Sequence, residues 1–219
     1  LPDAEQLTEA AANALLKTLE EPPQNTWFLL SCHEPPRLSA TLRSPCLNWH
    51  LAPPDEAQSL NWLQKQCAAG LNERIAALRL SSGAPAAALA LLEEKNWQQR
   101  QLVCQALPGA VQGDLLSLLP ALNHDDAARR IGWLCSLLVD AVKWQQGGGA
   151  WISNVDCQAL VMQIAGLLPA TAIDASLRQW LTCRDRLLNV VAVNRELLLT
   201  DQLLSWEAIL HPHATDLTG

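Results

Sequence analysis

The groups in this 219-residue sequence that could carry chemistry are five histidines, seven cysteines and 22 acidic side chains, and their spacing does not bring them together. His211 and His213 stand two apart beside Pro212 near the end of the sequence, which reads as a solvated tail rather than a metal site, and His33, His50 and His124 are scattered. Cys32, Cys46, Cys67, Cys104, Cys135, Cys157 and Cys183 lie at least 14 residues apart, with no CxxC pair and an odd total. That pattern disfavours a zinc ribbon and a disulfide framework, and it predicts reduced, mostly buried thiols in a cytosolic protein. The neighbouring carboxylates Glu20-Glu21, Glu93-Glu94 and Asp125-Asp126 fall at predicted helix ends, where solvated termini account for them. There is no G-x-x-x-x-G-K-S/T loop to cradle a triphosphate, so the segment should not hydrolyse ATP with its own residues.

Composition narrows the class of protein further. Hydrophobic residues make up 49% and charged residues 17%, the balance of a globular chain with room for two domains. The net charge of −7 gives no broad positive field, and autonomous tight binding to DNA is not expected. No apolar run reaches the roughly 18–20 residues of a membrane span, and no basic segment precedes an apolar one as in a secretory leader. The sequence starts at Leu1 rather than methionine, and its start is read as a cut.

The elements that would position any site change character along the chain. Residues 8–20 are rich in helix formers, with Ala11, Leu15, Leu16 and Leu19 on one face, and the following Pro22-Pro23 stops the helix. Residues 26–32, TWFLLSC, form an apolar run suited to a strand covered on both faces, 34–44 a short helix and 46–52 a second strand. Strand, helix and strand imply a right-handed parallel crossover, the closing edge of a larger doubly wound domain. From Pro53 onward the strand signal disappears. Helices are predicted at 55–68, 71–81 and 84–94, then at 97–107, 112–122, 124–146, 154–168, 171–191 and 194–210. The clearest row is Ala127, Ile131, Leu134, Leu138 and Ala141, and Leu199, Leu203, Trp206 and Leu210 repeat its spacing. The GGGA stretch at 147–150 reads as a flexible connector.

Nine tryptophans stand beside one phenylalanine and no tyrosine. Trp27, Trp133, Trp180 and Trp206 fall on or beside apolar stripes, a core pattern, whereas Trp97, Trp144 and Trp151 flank loops where indoles can anchor a partner. Arg184 falls in line with Leu177, Leu181, Leu188 and Val191, as a rim residue extending its charge to water would.

From residue 8 to 54 the order of residues becomes specific. The stretch NALLKTLEEPP at 13–23, followed by WFLLSCHEPPRL, resembles the later part of the AAA+ domain of clamp-loader subunits, most closely the delta-prime family of bacterial DNA polymerase III. AAALALL at 86–92, ALNH at 121–124 and NRELLLTD at 194–201 extend the resemblance over nearly the whole sequence. It implies a mainly α chain in three parts: the C-terminal edge of an AAA+ α/β domain at 1–52, a three-helix lid at 53–94, and an all-helical collar for oligomerisation at 95–219.

The same resemblance implies a non-catalytic stator subunit that helps a motor assembly load a sliding clamp onto primed DNA. It would work in the cytoplasm beside gamma/tau-type and delta-type subunits in a five-membered ring, meeting clamp and primer-template only indirectly. No cofactor or metal is implied, because the family's four-cysteine zinc module belongs to a part of the fold before Leu1. Clamp-loader subunits carry Ser-Arg-Cys, whose arginine reaches toward ATP on a neighbour; here the matching positions are Ser44, Pro45 and Cys46, so Arg43 either points elsewhere or substitutes only partly. The sensor arginine of the lid corresponds to Ala86. Partner contacts are expected at Arg43, Ser44 and Cys46 in this loop and at Trp144, Arg184 and Trp206 in the collar. The alternative is an ATP-hydrolysing motor subunit whose phosphate-binding half precedes Leu1.

Overall fold

The computed structural model of the protein describes residues 1–33, 35–190 and 194–211. Glu34, at the start of the second predicted helix, Val191 of the Arg184 row, and His213 of the histidine pair lie outside the described residues. The chain divides into two compact units, Leu1–Ala52 and Pro53–Gly219.

In the first unit, helix α1 (Glu9–Glu20) begins where Thr8 Oγ1 accepts the Ala11 N–H at 3.3 Å, and it ends just before the proline pair. Its inner face is Ala12 and Leu19, packed on Leu42 with Leu15, Leu30 and Cys46 around them. The helix expected at 34–44 is divided into a 3-10 turn, Pro35–Arg37, and a single α-helical turn, α2 (Ala40–Arg43), started by the Ser39 hydroxyl.

The two strands expected at 26–32 and 46–52 do not form; no strand occurs among the described residues. The Leu1 ammonium donates to Leu29 O at 2.7 Å, Ser31 N–H to Leu1 O at 2.9 Å and Ala4 N–H to Ser31 O at 2.9 Å, so pairing is confined to Leu29 and Ser31 and is too short to make a strand. A strand forms only where a second backbone answers its donors and acceptors along its length, and among the described residues of this unit only Leu1 and Ala4 do so, for Leu29 and Ser31. Leu30 packs on the Leu42 cluster, and the other large apolar side chains meant for such a sheet face outward. Trp27, expected in a core, is 91% exposed, and Trp49 is 81% exposed.

Among its described residues the second unit is built of helices joined by turns. Helices α3 (Glu56–Gln66), α4 (Leu71–Leu80) and α5 (Pro85–Leu92) follow in quick succession. Asp55 Oδ1 accepts the Gln58 N–H at 2.7 Å to start α3, Glu73 Oε2 accepts the Gly70 N–H at 2.7 Å to start α4, and Pro85 sits in the first turn of α5. Helix α6 (Glu94–Val111) extends beyond the expected 97–107 at both ends and runs past Pro108. Proline interrupts only one bond of the last turn there, and Val111 beyond it is buried. The helix predicted at 112–122 is broken into a 3-10 turn, Leu115–Leu118, and α7 (Leu119–Leu122).

Helix α8 (Ala127–Gln145) is the centre of the unit, and its predicted row from Ala127 to Ala141 is buried. Around it pack α9 (Gln158–Leu167) and α10 (Ala170–Asn189), and α11 (Arg195–Leu210) lies on α10. One apolar core runs from Leu63 in α3 to Leu210 in α11. The glycine stretch after α8 is not loose. Gly147 takes φ 77° and closes the helix, Gly148 N–H donates to Lys143 O at 2.8 Å, and a 3-10 turn follows at Gly149–Trp151.

Candidate functional site

The loop around Pro45 is built on Leu42, which is buried and holds α2 against α1. With Leu42 inward, Arg43 emerges on the outside of the turn, and its guanidinium folds back. Nη2 donates to Pro35 O at 2.8 Å and to Leu38 O at 3.1 Å, so the cation secures its own loop. Ser44 ends the turn with its N–H on Ala40 O at 3.0 Å, and Cys46 is half-buried against the Leu42 cluster. The three residues are neighbours on one short loop, and Arg43 points into that loop. Ala86, the position matched to the lid arginine, is exposed in the first turn of α5.

The three collar candidates do not come together. Trp144 is half-buried on the core, and its ring lies under Gly149: a Cβ built there would meet Cζ3 at 2.8 Å and Cε3 at 3.1 Å. Gly149→Ala is therefore expected to cost about 1–3 kcal/mol, because the indole must move out of its seat. Urea unfolding would read this loss, together with a red shift of tryptophan emission as Trp144 becomes wetter. Arg184 is half-buried, its Nε has no hydrogen-bond partner, and its charge partly opposes the burial that pushes the Cys135 thiol up to about 12. Trp206 is fully buried. It stands edge-on to Trp180 at 5.3 Å and donates from Nε1 to Ser176 Oγ at 2.7 Å, so it offers no surface to a partner and is corrected to a core residue.

The most organised polar feature of the helical unit is a buried ion pair that the spacing of the sequence does not predict. Arg100 of α6 is fully buried and grips Asp156 with two bonds, Nη1 to Oδ2 at 2.6 Å and Nη2 to Oδ1 at 3.0 Å. Its Nη2 also donates to Asn154 Oδ1 at 2.7 Å, and its guanidinium carbon lies 4.7 Å from the centre of the Trp97 ring. Trp97, expected at a loop, is thereby buried. Asp140 of α8, also fully buried, accepts the N–H groups of Ser153 and Asn154 at 2.8 and 2.7 Å, the Asn154 amide at 2.8 Å, and Lys143 Nζ at 2.8 Å. Arg79 of α4 reaches the same segment, donating to Ile152 O at 2.6 Å. The stretch 151–157 is thus clamped from α4, α6 and α8 through charged groups whose hydrogen-bonding capacity is largely met.

Beside this clamp lies an open apolar groove of about 620 Å³ between α8 and α10, lined by Val139, Val142, Trp151 and Leu177 with Lys143 and Asp174 among them. Among the described residues no cluster of His, Cys, Asp and Glu has the arrangement to hold a metal ion. Among the described residues no single helix is long and apolar enough to cross a membrane.

A family model described as "DNA polymerase III, delta subunit, C terminal" matches residues 94–208, more than half of the sequence. The chain belongs to the DNA polymerase III delta-subunit family. Two further models match the residues before it: "DNA polymerase III subunit delta', AAA+ ATPase lid domain" at 54–93 and "DNA polymerase III, delta subunit" at 1–55. Among curated relatives, DNA polymerase III subunit delta' of Yersinia pestis is 54% identical over 216 residues, covering 96% of this chain and 64% of the relative. The Escherichia coli K12 subunit of the same name is 50% identical over 211 residues, covering 96% of this chain and 63% of its own length. DNA polymerase III subunit tau of Escherichia coli is similar at 27% over 187 residues, 79% of this chain and 26% of that protein. The chain therefore spans just under two thirds of the delta' relatives it matches.

Proposed function

We propose that this family member is a non-catalytic stator subunit of the bacterial clamp loader, helping to place the sliding clamp on primed DNA during chromosomal replication. In this reading residues 1–52 are the last part of an AAA+ domain, 53–94 the lid and 95–219 the collar. Partners are gamma/tau-type and delta-type subunits in a cytoplasmic five-membered ring, and clamp and primer-template are met through them. The exposed indoles of Trp27 and Trp49 fit a sheet edge completed by further strands of the same AAA+ domain.

The observation that carries this reading is the loop at Pro45. Where clamp-loader subunits present an arginine to a neighbour's nucleotide, this chain has an uncharged ring, and the nearest cation, Arg43, is bound to the carbonyls of Pro35 and Leu38. An arginine finger contributes orders of magnitude to phosphoryl transfer, and a proline contributes no charge at all. Exposed Ala86 at the lid position fits the same non-hydrolytic role. A motor subunit with its phosphate loop before Leu1 is the weaker alternative. Arg43, Ser44 and Cys46, with Trp144 and Arg184 in the collar, remain the proposed contact residues.

Size-exclusion chromatography of the complete protein with purified gamma/tau-type and delta-type subunits tests the proposal. One co-eluting complex is expected, built on contacts of about 2,000 Å² or more, with no ATP turnover by the isolated protein. Separate elution, or turnover by the protein alone, would defeat the stator reading.

A further inference from the structure

Helix α10 carries one stripe along nearly its whole length. Ala170, Asp174, Leu177, Leu181, Arg184 and Leu188 recur at steps of four and three, so they share a face about 27 Å long. The first three line the apolar groove beside α8. Leu181 and Leu188 carry the stripe beyond the groove and are 44% and 60% exposed. The floor on α8 is open as well: Gly132, two turns before Val139 on the same face, has nothing within 4 Å of where a Cβ would stand. Trp151, 78% exposed, lines the groove too, and Lys143 Nζ fixes its backbone by donating to Trp151 O at 3.0 Å.

Two charges interrupt the stripe, and they differ. Asp174 is paired with Arg178 at 3.0 Å, one turn further on. Arg184 has no hydrogen bond or ion pair among the described residues, and its Nε is shut off from water. A rim arginine that only extended its charge into solvent would keep its N–H groups wet, whereas this one has a donor sealed and unanswered on a row of leucines. We propose that the stripe and groove form a docking trough for an amphipathic helix of a sister clamp-loader subunit, which lays its apolar face on Leu177, Leu181 and Leu188 and brings one carboxylate to Arg184. The source of that helix rests on the stator reading; its chemistry rests on the trough.

Arg184 sets what can bind. A wholly apolar helix would cover the guanidinium without pairing it, and a basic one would be repelled, so both are penalised. A carboxylate at the matching position answers the cation with a charge-assisted bond in a site that the leucines keep dry. Trp151 adds a large apolar surface on a backbone that is already held, the kind of residue that concentrates binding energy.

The test is the affinity of the complete protein for purified gamma/tau-type and delta-type subunits, measured for the parent and for variants that melt as the parent does. Arg184→Met and Trp151→Ala should each bind at least roughly tenfold more weakly. Arg184→Lys, which keeps the charge, should lose less than Arg184→Met. Leu204→Asp, at an equally exposed leucine on α11, should bind like the parent. If the parent binds and Arg184→Met or Trp151→Ala binds equally well, or if Leu204→Asp loses as much, the trough is overturned while the stator reading stands. If the parent binds no subunit, the stator reading falls and the trough with it. A dimer of the protein alone that Trp151→Ala dissolves would place a second copy in the trough and overturn the assignment to a sister subunit.

Discussion

Arg100→Met should lower the folding stability of the helical unit by about 3–5 kcal/mol, the loss expected when one partner of a buried ion pair is removed. Methionine follows the aliphatic stem of arginine and leaves little cavity, so the effect isolates the charge. Without the guanidinium, Asp156, whose side chain is only 11% exposed, loses both of its bonds to Arg100, and Asn154 Oδ1 loses its donor. A pair at the surface would cost far less to break, typically under about 1 kcal/mol, because water would take over both ions. Total stabilities of single domains are about 5–15 kcal/mol, so this one change removes a large share. Thermal unfolding should move down by roughly 6–20 °C. Replacing both partners, as Arg100→Met with Asp156→Leu, should recover most of the loss, since no unpaired charge then remains. A single mutant within 1 kcal/mol of the parent in urea unfolding would show that water already reaches the pair.

What the sequence made legible follows from where each element finds its partners. The row Ala127, Ile131, Leu134, Leu138 and Ala141 needs only the helix that carries it to be recognisable, and all five positions are buried. The runs at 26–32 and 46–52 were read as strands because they are apolar and of strand length. Composition, however, cannot supply the adjoining backbone: among the described residues neither run becomes a strand, and 26–32 has only the short pairing of Leu29 and Ser31 with Leu1 and Ala4. Trp27 was assigned to a core for the same reason and is exposed with its run. The GGGA stretch was read as flexible from composition alone, yet Lys143 Nζ on Trp151 O at 3.0 Å and the Trp144 ring beneath Gly149 fix it in place.

The clamp on 151–157 was partly legible. Trp97, Arg100, Cys104, Leu107 and Val111 form one row at steps of three and four, so a charge stood in the middle of a buried stripe and called for a partner. The identity of that partner was hidden, because Asp156 lies 56 residues away. Asp140 was harder still: it lies one position off the apolar row of α8 and looks like a solvent-facing acid until Ser153 and Asn154 are folded against it. The loop candidates Arg43, Ser44 and Cys46 could be placed side by side from the sequence. The direction of Arg43 depended on two carbonyls exposed by the local turn, which no residue type encodes.

Trp206→Ala is expected to destabilise the helical unit by about 3–5 kcal/mol, and this change separates a core role from a contact role. The indole is fully buried, stands at 80° to Trp180, and hands its N–H to Ser176 Oγ, whose own hydroxyl donates to Ala172 O at 2.6 Å. Alanine would leave a cavity the size of the ring system, forfeit the edge-to-face contact, and strip Ser176 of its donor within the core. Trp206→Phe keeps an aromatic ring against Trp180 and should cost distinctly less. Because the side chain has no exposed surface, any loss of partner binding should appear only in step with unfolding: Trp206→Phe should still co-elute with partner subunits, and Trp206→Ala should fail only to the extent that it is unfolded. An alanine variant with an unchanged melting temperature that no longer enters the complex would mean that α11 opens on assembly and presents this indole to a neighbour.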